Sequence, residues 1–127
     1  IKSAEQKDYE AIMKDSAFYS YSDQYLRKNK LMLNIISKIG SPKNFDRFIT
    51  FSKACTTHNA YEELEKITCP TLVIGGKQDK IVTYGASEEI VLKIPNAKLK
   101  TYEEYGHALY EEGKDFNNVV YEFCCGE

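Results

Sequence analysis

Thr71-Leu72-Val73-Ile74-Gly75-Gly76-Lys77-Gln78-Asp79 is the stretch whose reading decides the fold. Its first four residues form a short, continuous apolar run after Pro70, closed by a glycine pair. Such a run reads as a strand covered on both faces, the kind found in parallel sheets flanked by helices. Asp79 falls just past the strand's C-terminal end, the edge where open α/β sheets collect their ligands.

Downstream, Gly85–Ile94 reads as a helix that stops before Pro95-Asn96. Lys98–Tyr102 follows as a second strand, with Leu99 and Thr101 alternating against polar neighbours. A last helix spans about Glu111–Cys124 and gathers Phe116, Val119, Val120 and Phe123 on one side. Strands joined through a helix imply parallel pairing by a right-handed crossover.

Upstream of residue 67 the period becomes helical. Tyr9, Ile12 and Met13 mark a short helix over Ala4–Lys14, and Asp23–Ile39 reads as a second with a broad apolar face. Gly40 suits its C-terminal cap. Ser41-Pro42 then opens a third helix carrying Phe45, Phe48, Ile49 and Phe51 to about Thr57, and a short piece, Ala60–Lys66, leads to Ile67. The chain therefore divides into a helical segment, residues 1–60, and a sheet portion, residues 61–127. Two parallel strands make an incomplete sheet, so we expect a missing N-terminal half or a second chain to supply neighbours. The first residue is Ile1 and not Met, from which we expect sequence upstream.

Composition narrows the function classes. The chain has 127 residues, the size of one domain, and its 43% hydrophobic share suffices for a core. A net charge of −2 gives no electrostatic reason for nucleic acid or an anionic membrane as partner. The densest basic cluster, Arg27, Lys28 and Lys30, reads as a solvated helix face. No apolar run nears the roughly 20 residues that span a bilayer, and Ile1–Glu10 has no signal-peptide character. Cys55, Cys69, Cys124 and Cys125 show neither C-x-x-C nor zinc spacing, so we expect reduced thiols, a cytoplasmic location and no metal. Gly75-Gly76 follows a strand but lacks both G-x-G-x-x-G and the P-loop lysine, which argues against a nucleotide-binding half-domain.

Two side chains carry the chemistry. His107 lies in Glu104-Tyr105-Gly106-His107-Ala108-Leu109-Tyr110-Glu111-Glu112, after the second strand and before the last helix. Alone, Asp79 fits a turn aspartate bonded to its own backbone, and His107 fits a capping or core histidine. Together they occupy equivalent ends of adjacent strands, on loops that face each other across the sheet edge. An imidazole suited to proton transfer near neutral pH beside a carboxylate is a candidate acid–base pair.

The surrounding residues are specific enough to resemble a known family. Leu64, then Ile67-Thr68-Cys69-Pro70 and Thr71 through Val82, resembles the part of serine α/β-hydrolases that delivers the triad acid. Ile94-Pro95-Asn96-Ala97-Lys98-Leu99, Tyr105-Gly106-His107-Ala108, and Glu111-Glu112 with Asp115-Phe116-Asn117 resemble the strand, histidine loop and final helix. The resemblance covers about half of the chain, from Leu64 to Phe123. It implies an α/β fold: the C-terminal half of an α/β-hydrolase, two parallel strands with flanking helices, preceded by an all-helical cap. By it, Asp79 is the triad acid and His107 the general base, acting on a small-molecule ester or acyl substrate without cofactor.

The sequence also departs from that pattern. No G-x-S-x-G occurs; Gly85-Ala86-Ser87-Glu88-Glu89 has Glu in place of the second Gly and follows the acid instead of preceding it. Ser87 therefore reads as a helix-start serine. The glycine-rich oxyanion segment is absent too, and Thr83 stands where the family often has Pro. His58, between cap and sheet, suits a surface or hinge role. The expected function is a C-terminal portion of an esterase-like or lipase-like acyl hydrolase, inactive alone. The alternative is a non-catalytic interaction module pairing through its exposed sheet edge, in a homo-oligomer or with a partner.

Overall fold

The computed structural model describes residues 2–39 and 44–126. Two strands, β1 (Thr71–Gly76) and β2 (Ala97–Tyr102), pair in parallel, with Thr71 opposite Ala97 and Gly76 opposite Tyr102. Between them runs α6 (Thr83–Lys93), which packs on both strands. The Tyr84 hydroxyl meets the Thr101 hydroxyl at 2.7 Å, fixing that helix to β2. After β2 come α7 (Leu109–Glu112) and α8 (Phe116–Cys125). Before β1 lie α1 (Lys2–Glu5), α2 (Tyr9–Ser20), α3 (Asp23–Lys28), α4 (Lys30–Ile36), α5 (Asp46–Thr57) and a 3₁₀ helix, Tyr61–Lys66.

Three expected helices are each divided, for local reasons. The helix expected over Ala4–Lys14 breaks at Lys7, whose φ of 57° is left-handed. Asp8 then accepts from the Ala11 N–H at 3.0 Å and caps α2, a start signal stronger than the apolar spacing across it. The expected Asp23–Ile39 helix bends at Asn29, whose side-chain amide donates to the Tyr25 carbonyl at 3.0 Å. The expected Glu111–Cys124 helix is interrupted between Gly113 and Asp115. Gly113 closes α7 by donating to the Leu109 carbonyl, and Asp115 precedes α8. The expected caps at Gly40, Ser41 and Pro42 lie outside the described residues.

The helical segment has a small core of Ala4, Ile12 and Phe45, with Tyr9 and Ile49 packed against it. Ile94, Tyr102, Ala108 and Leu109 are buried at the sheet. Thr71–Ile74, expected to be covered on both faces, are only half-buried. With α6 on the sheet and each strand paired along one edge among the described residues, the run has more apolar surface than this chain covers.

Candidate active site

β1 and β2 run side by side, so the loops that leave their C-terminal ends emerge together. The backbone stitches them: Lys77 donates its N–H to the Tyr102 carbonyl at 2.9 Å, and Gln78 donates to that of Tyr105 at 3.0 Å. This closeness requires glycine. A Cβ on Gly76 would overlap the Tyr105 carbonyl oxygen and lie 2.6 Å from that of Gly106.

The register brings Asp79 and His107 into contact. His107 Nδ1 lies 2.9 Å from Asp79 Oδ2. Asp79 Oδ1 accepts from the backbone N–H groups of Ile81 at 2.7 Å and Val82 at 3.1 Å. An ionised carboxylate only accepts, so the hydrogen belongs on Nδ1, leaving Nε2 with a free lone pair. The Asp79 side chain is 9% exposed and that of His107 42%. Burial alone would raise the Asp79 carboxyl, but the His107 ring and the two amides outweigh it and hold the group below the usual carboxylate range.

The start of the helical segment closes over the same loops. Lys80 bonds Asp23 at 2.7 Å and lies 4.4 Å from the centre of the Phe18 ring. The Ala108 N–H donates to the Ser20 carbonyl at 2.7 Å, and Gly106 packs against Ser20–Ser22 so closely that a Cβ would meet backbone atoms at 2.8–2.9 Å. An open cleft of about 690 Å³ passes Asp79, bordered by Asp23, Arg27, Lys77, Lys80 and Glu104. A second, of about 840 Å³ and more apolar, lies among Met13, Phe18, Leu26 and Leu31.

Other residues singled out in the sequence fall elsewhere. Ser87 lies inside α6 and not at its start, with its hydroxyl 2.7 Å from where a Gly75 Cβ would stand, so it packs helix against strand. His58 is an exposed residue ending α5. Thr83 adopts a φ of 59°, which proline cannot, so the acid loop has its own shape where the family often has Pro. The four cysteines are exposed and unbridged. Among the described residues, no cluster of His, Cys, Asp or Glu is arranged to hold a metal, and no helix is long and apolar enough to cross a membrane. Sequence reasoning gave no site role to Ser22 or Glu112, which the structure joins to the histidine loop. Glu112 was visible only in the Glu111-Glu112 pair that resembles the start of the family's final helix, and nothing in the sequence marked Ser22.

The family model described as serine aminopeptidase, S33 (Hydrolase_4) matches residues 48–114, just over half of the chain. The chain belongs to this family of α/β-hydrolases. A 2-hydroxy-6-oxononadienedioate/2-hydroxy-6-oxononatrienedioate hydrolase of Cupriavidus pinatubonensis is 39% identical over 61 residues, 47% of this chain and 21% of the relative. The solved structure of MGS-M2, an α/β-hydrolase enzyme from a Medee basin deep-sea metagenome library, superposes with a TM-score of 0.82 at 27% identity, over 99% of this chain and 48% of that one. The enol-lactonase of Burkholderia xenovorans LB400 shares the fold, with a TM-score of 0.83 at 18% identity, over 98% of this chain and 48% of its own. The α/β-hydrolase fold is thus present in part: the chain spans about half the length of these solved structures and 21% of the length of the curated relative.

Proposed function

We propose that this chain supplies the acid and the base of a serine-type catalytic triad, Asp79 and His107, to an α/β-hydrolase acting on small-molecule esters or related acyl compounds. The observation that carries the reading is the 2.9 Å contact between His107 Nδ1 and Asp79 Oδ2 at the C-terminal ends of two paired parallel strands. Asp79 fixes the tautomer and orientation of the ring. Nε2 then takes the proton of a nucleophilic hydroxyl as it attacks the substrate carbonyl, and returns it to the leaving group. The ring's exposure leaves that nitrogen open to a partner.

The nucleophile and the oxyanion donors come from polypeptide beyond this sequence, which holds no G-x-S-x-G. Residues 1–60 act as the cap, residues 61–127 as the sheet portion, and the cleft beside Asp79 as part of the substrate's approach. The similar hydrolase of Cupriavidus pinatubonensis is named for 2-hydroxy-6-oxononadienedioate, which extends the candidate substrates to small oxo-dicarboxylates. Four unbridged thiols suit a cytoplasmic setting.

The test is hydrolysis of an activated ester such as p-nitrophenyl acetate. Alone, this chain should be inactive. Joined to a segment carrying the first half of such a fold with its nucleophile elbow, it should turn the ester over. Asp79→Asn should then lower kcat by about 10⁴-fold, with a comparable or larger loss for His107→Ala. Turnover by the isolated chain that both substitutions abolish would refute the shared-triad reading.

A further inference from the structure

The His107 ring is exposed, so its own packing does not decide where it points. Its position rests on the Asp79 bond and on the backbone that carries it. That backbone is anchored on both sides of His107. The Ala108 N–H is held directly by the Ser20 carbonyl at 2.7 Å. The Gly106 N–H is held by Glu112, the last residue of α7, whose Oε1 accepts it at 3.0 Å.

Glu112 does more than close its own loop. The same Oε1 accepts from the Ser22 N–H at 3.0 Å, and Oε2 accepts from the Ser22 hydroxyl. Ser22 is 1% exposed, and its hydroxyl oxygen also accepts from the Tyr25 N–H at 3.2 Å, starting α3. One half-buried carboxylate therefore joins three donors from two parts of the chain. We propose that Glu112 is a positioning residue for His107: it locks the Gly106 peptide to the Ser22 turn, so that the ring is presented to Asp79 and the start of the helical segment is coupled to the histidine loop.

Three features favour this over simple loop closure. The contacts are charge-assisted and converge on one carboxylate, which makes them directional and strong. They engage the peptide immediately before His107. Finally, the glycine at 106 leaves no slack, since even a Cβ there would meet Ser20–Ser22. Glu112 touches neither Asp79 nor the ring in these hydrogen bonds, so its effect passes through backbone position.

The test reads the ring itself. The chain has only two histidines, and His58 at the end of α5 serves as internal control. In the ¹⁵N-labelled 127-residue chain, His107 should give a hydrogen-bonded Nδ1–H signal that Asp79→Asn alters. Glu112→Ala should lose that signal and shift the His107 ring nitrogens toward those of a free imidazole, leaving His58 unmoved. Glu112→Gln keeps an acceptor for both amides and should restore the wild-type pattern. If Glu112→Ala unfolds the chain, Glu112→Asp, one methylene shorter, should remain folded by circular dichroism yet weaken the His107 signal. A folded Ala or Asp variant with wild-type His107 signals overturns the proposal, as does equal displacement of both histidines. The assay needs no turnover, so it is separable from the triad reading: an inert His107→Ala substitution in an active assembly would sink the triad and leave this positioning role standing.

Discussion

The Asp79 carboxylate directs its two oxygens to different tasks. Oδ1 takes the amides of Ile81 and Val82 and shapes the turn after β1, while Oδ2 faces the His107 ring. In the sequence these were competing readings of one residue, a turn aspartate or a triad acid. A carboxylate has enough lone pairs to shape the turn and to bond the ring at once, and the turn aims the second oxygen. The same bonds set a pH dependence. Because they outweigh burial and depress the folded-state carboxyl, ionised Asp79 stabilises the fold; that contribution is complete above the ordinary aspartate range near about pH 4 and disappears as pH falls through the lower folded value. Urea denaturation across the acid limb should therefore show a steeper loss of stability for wild type than for Asp79→Asn. Parallel curves would mean that the carboxylate's bonds do not form.

Between elements, the decisive geometry is a near-contact of backbones. The end of β1 lies under the peptides of Tyr105 and Gly106, and Gly106 lies in turn against Ser20–Ser22. Period and punctuation revealed the strands, their parallel order and the two loops that leave them, because burial and turns write themselves into neighbouring residues. The Ser22–Glu112 junction was not legible, since it joins residues far apart in sequence through polar atoms that leave no periodicity. The helix breaks at Lys7 and Asn29 were missed because apolar spacing continues across them while the backbone obeys a cap or a side-chain amide. Stacked backbones should tolerate no added atom. Gly76→Ala should cost about 1–3 kcal/mol, as overpacked sites do, visible as a lower urea midpoint with an unchanged slope. It should also disturb the His107 ring signals, because the β-carbon would press on the Tyr105 and Gly106 carbonyls. A variant as stable as wild type would show that the loops can part without penalty.

At the scale of the whole chain, the unbalanced quantity is apolar surface. Leu31 and Phe51 are each 74% exposed and Leu92 is 85% exposed, while Ile39, Met32 and Phe48 add to the uncovered area. β1 and β2 each leave one edge unpaired among the described residues, and the solved relatives are about twice as long as the part this chain matches. Edges of that kind recruit other strands, and contiguous exposed apolar patches recruit other surfaces. Taken alone, the 127-residue chain should therefore bind an apolar dye and self-associate as its concentration rises. Joined to a segment that supplies further strands, it should lose the dye signal and give a concentration-independent mass. Charged substitutions separate the two causes. Leu31→Lys with Phe51→Lys should reduce dye binding if the exposed side chains of the helical segment are responsible, and should leave association intact if the strand edges drive it. A compact, dye-silent monomer at high concentration would show that this half-sheet is sufficient by itself, and would remove the reason to look outside the chain for its remaining strands.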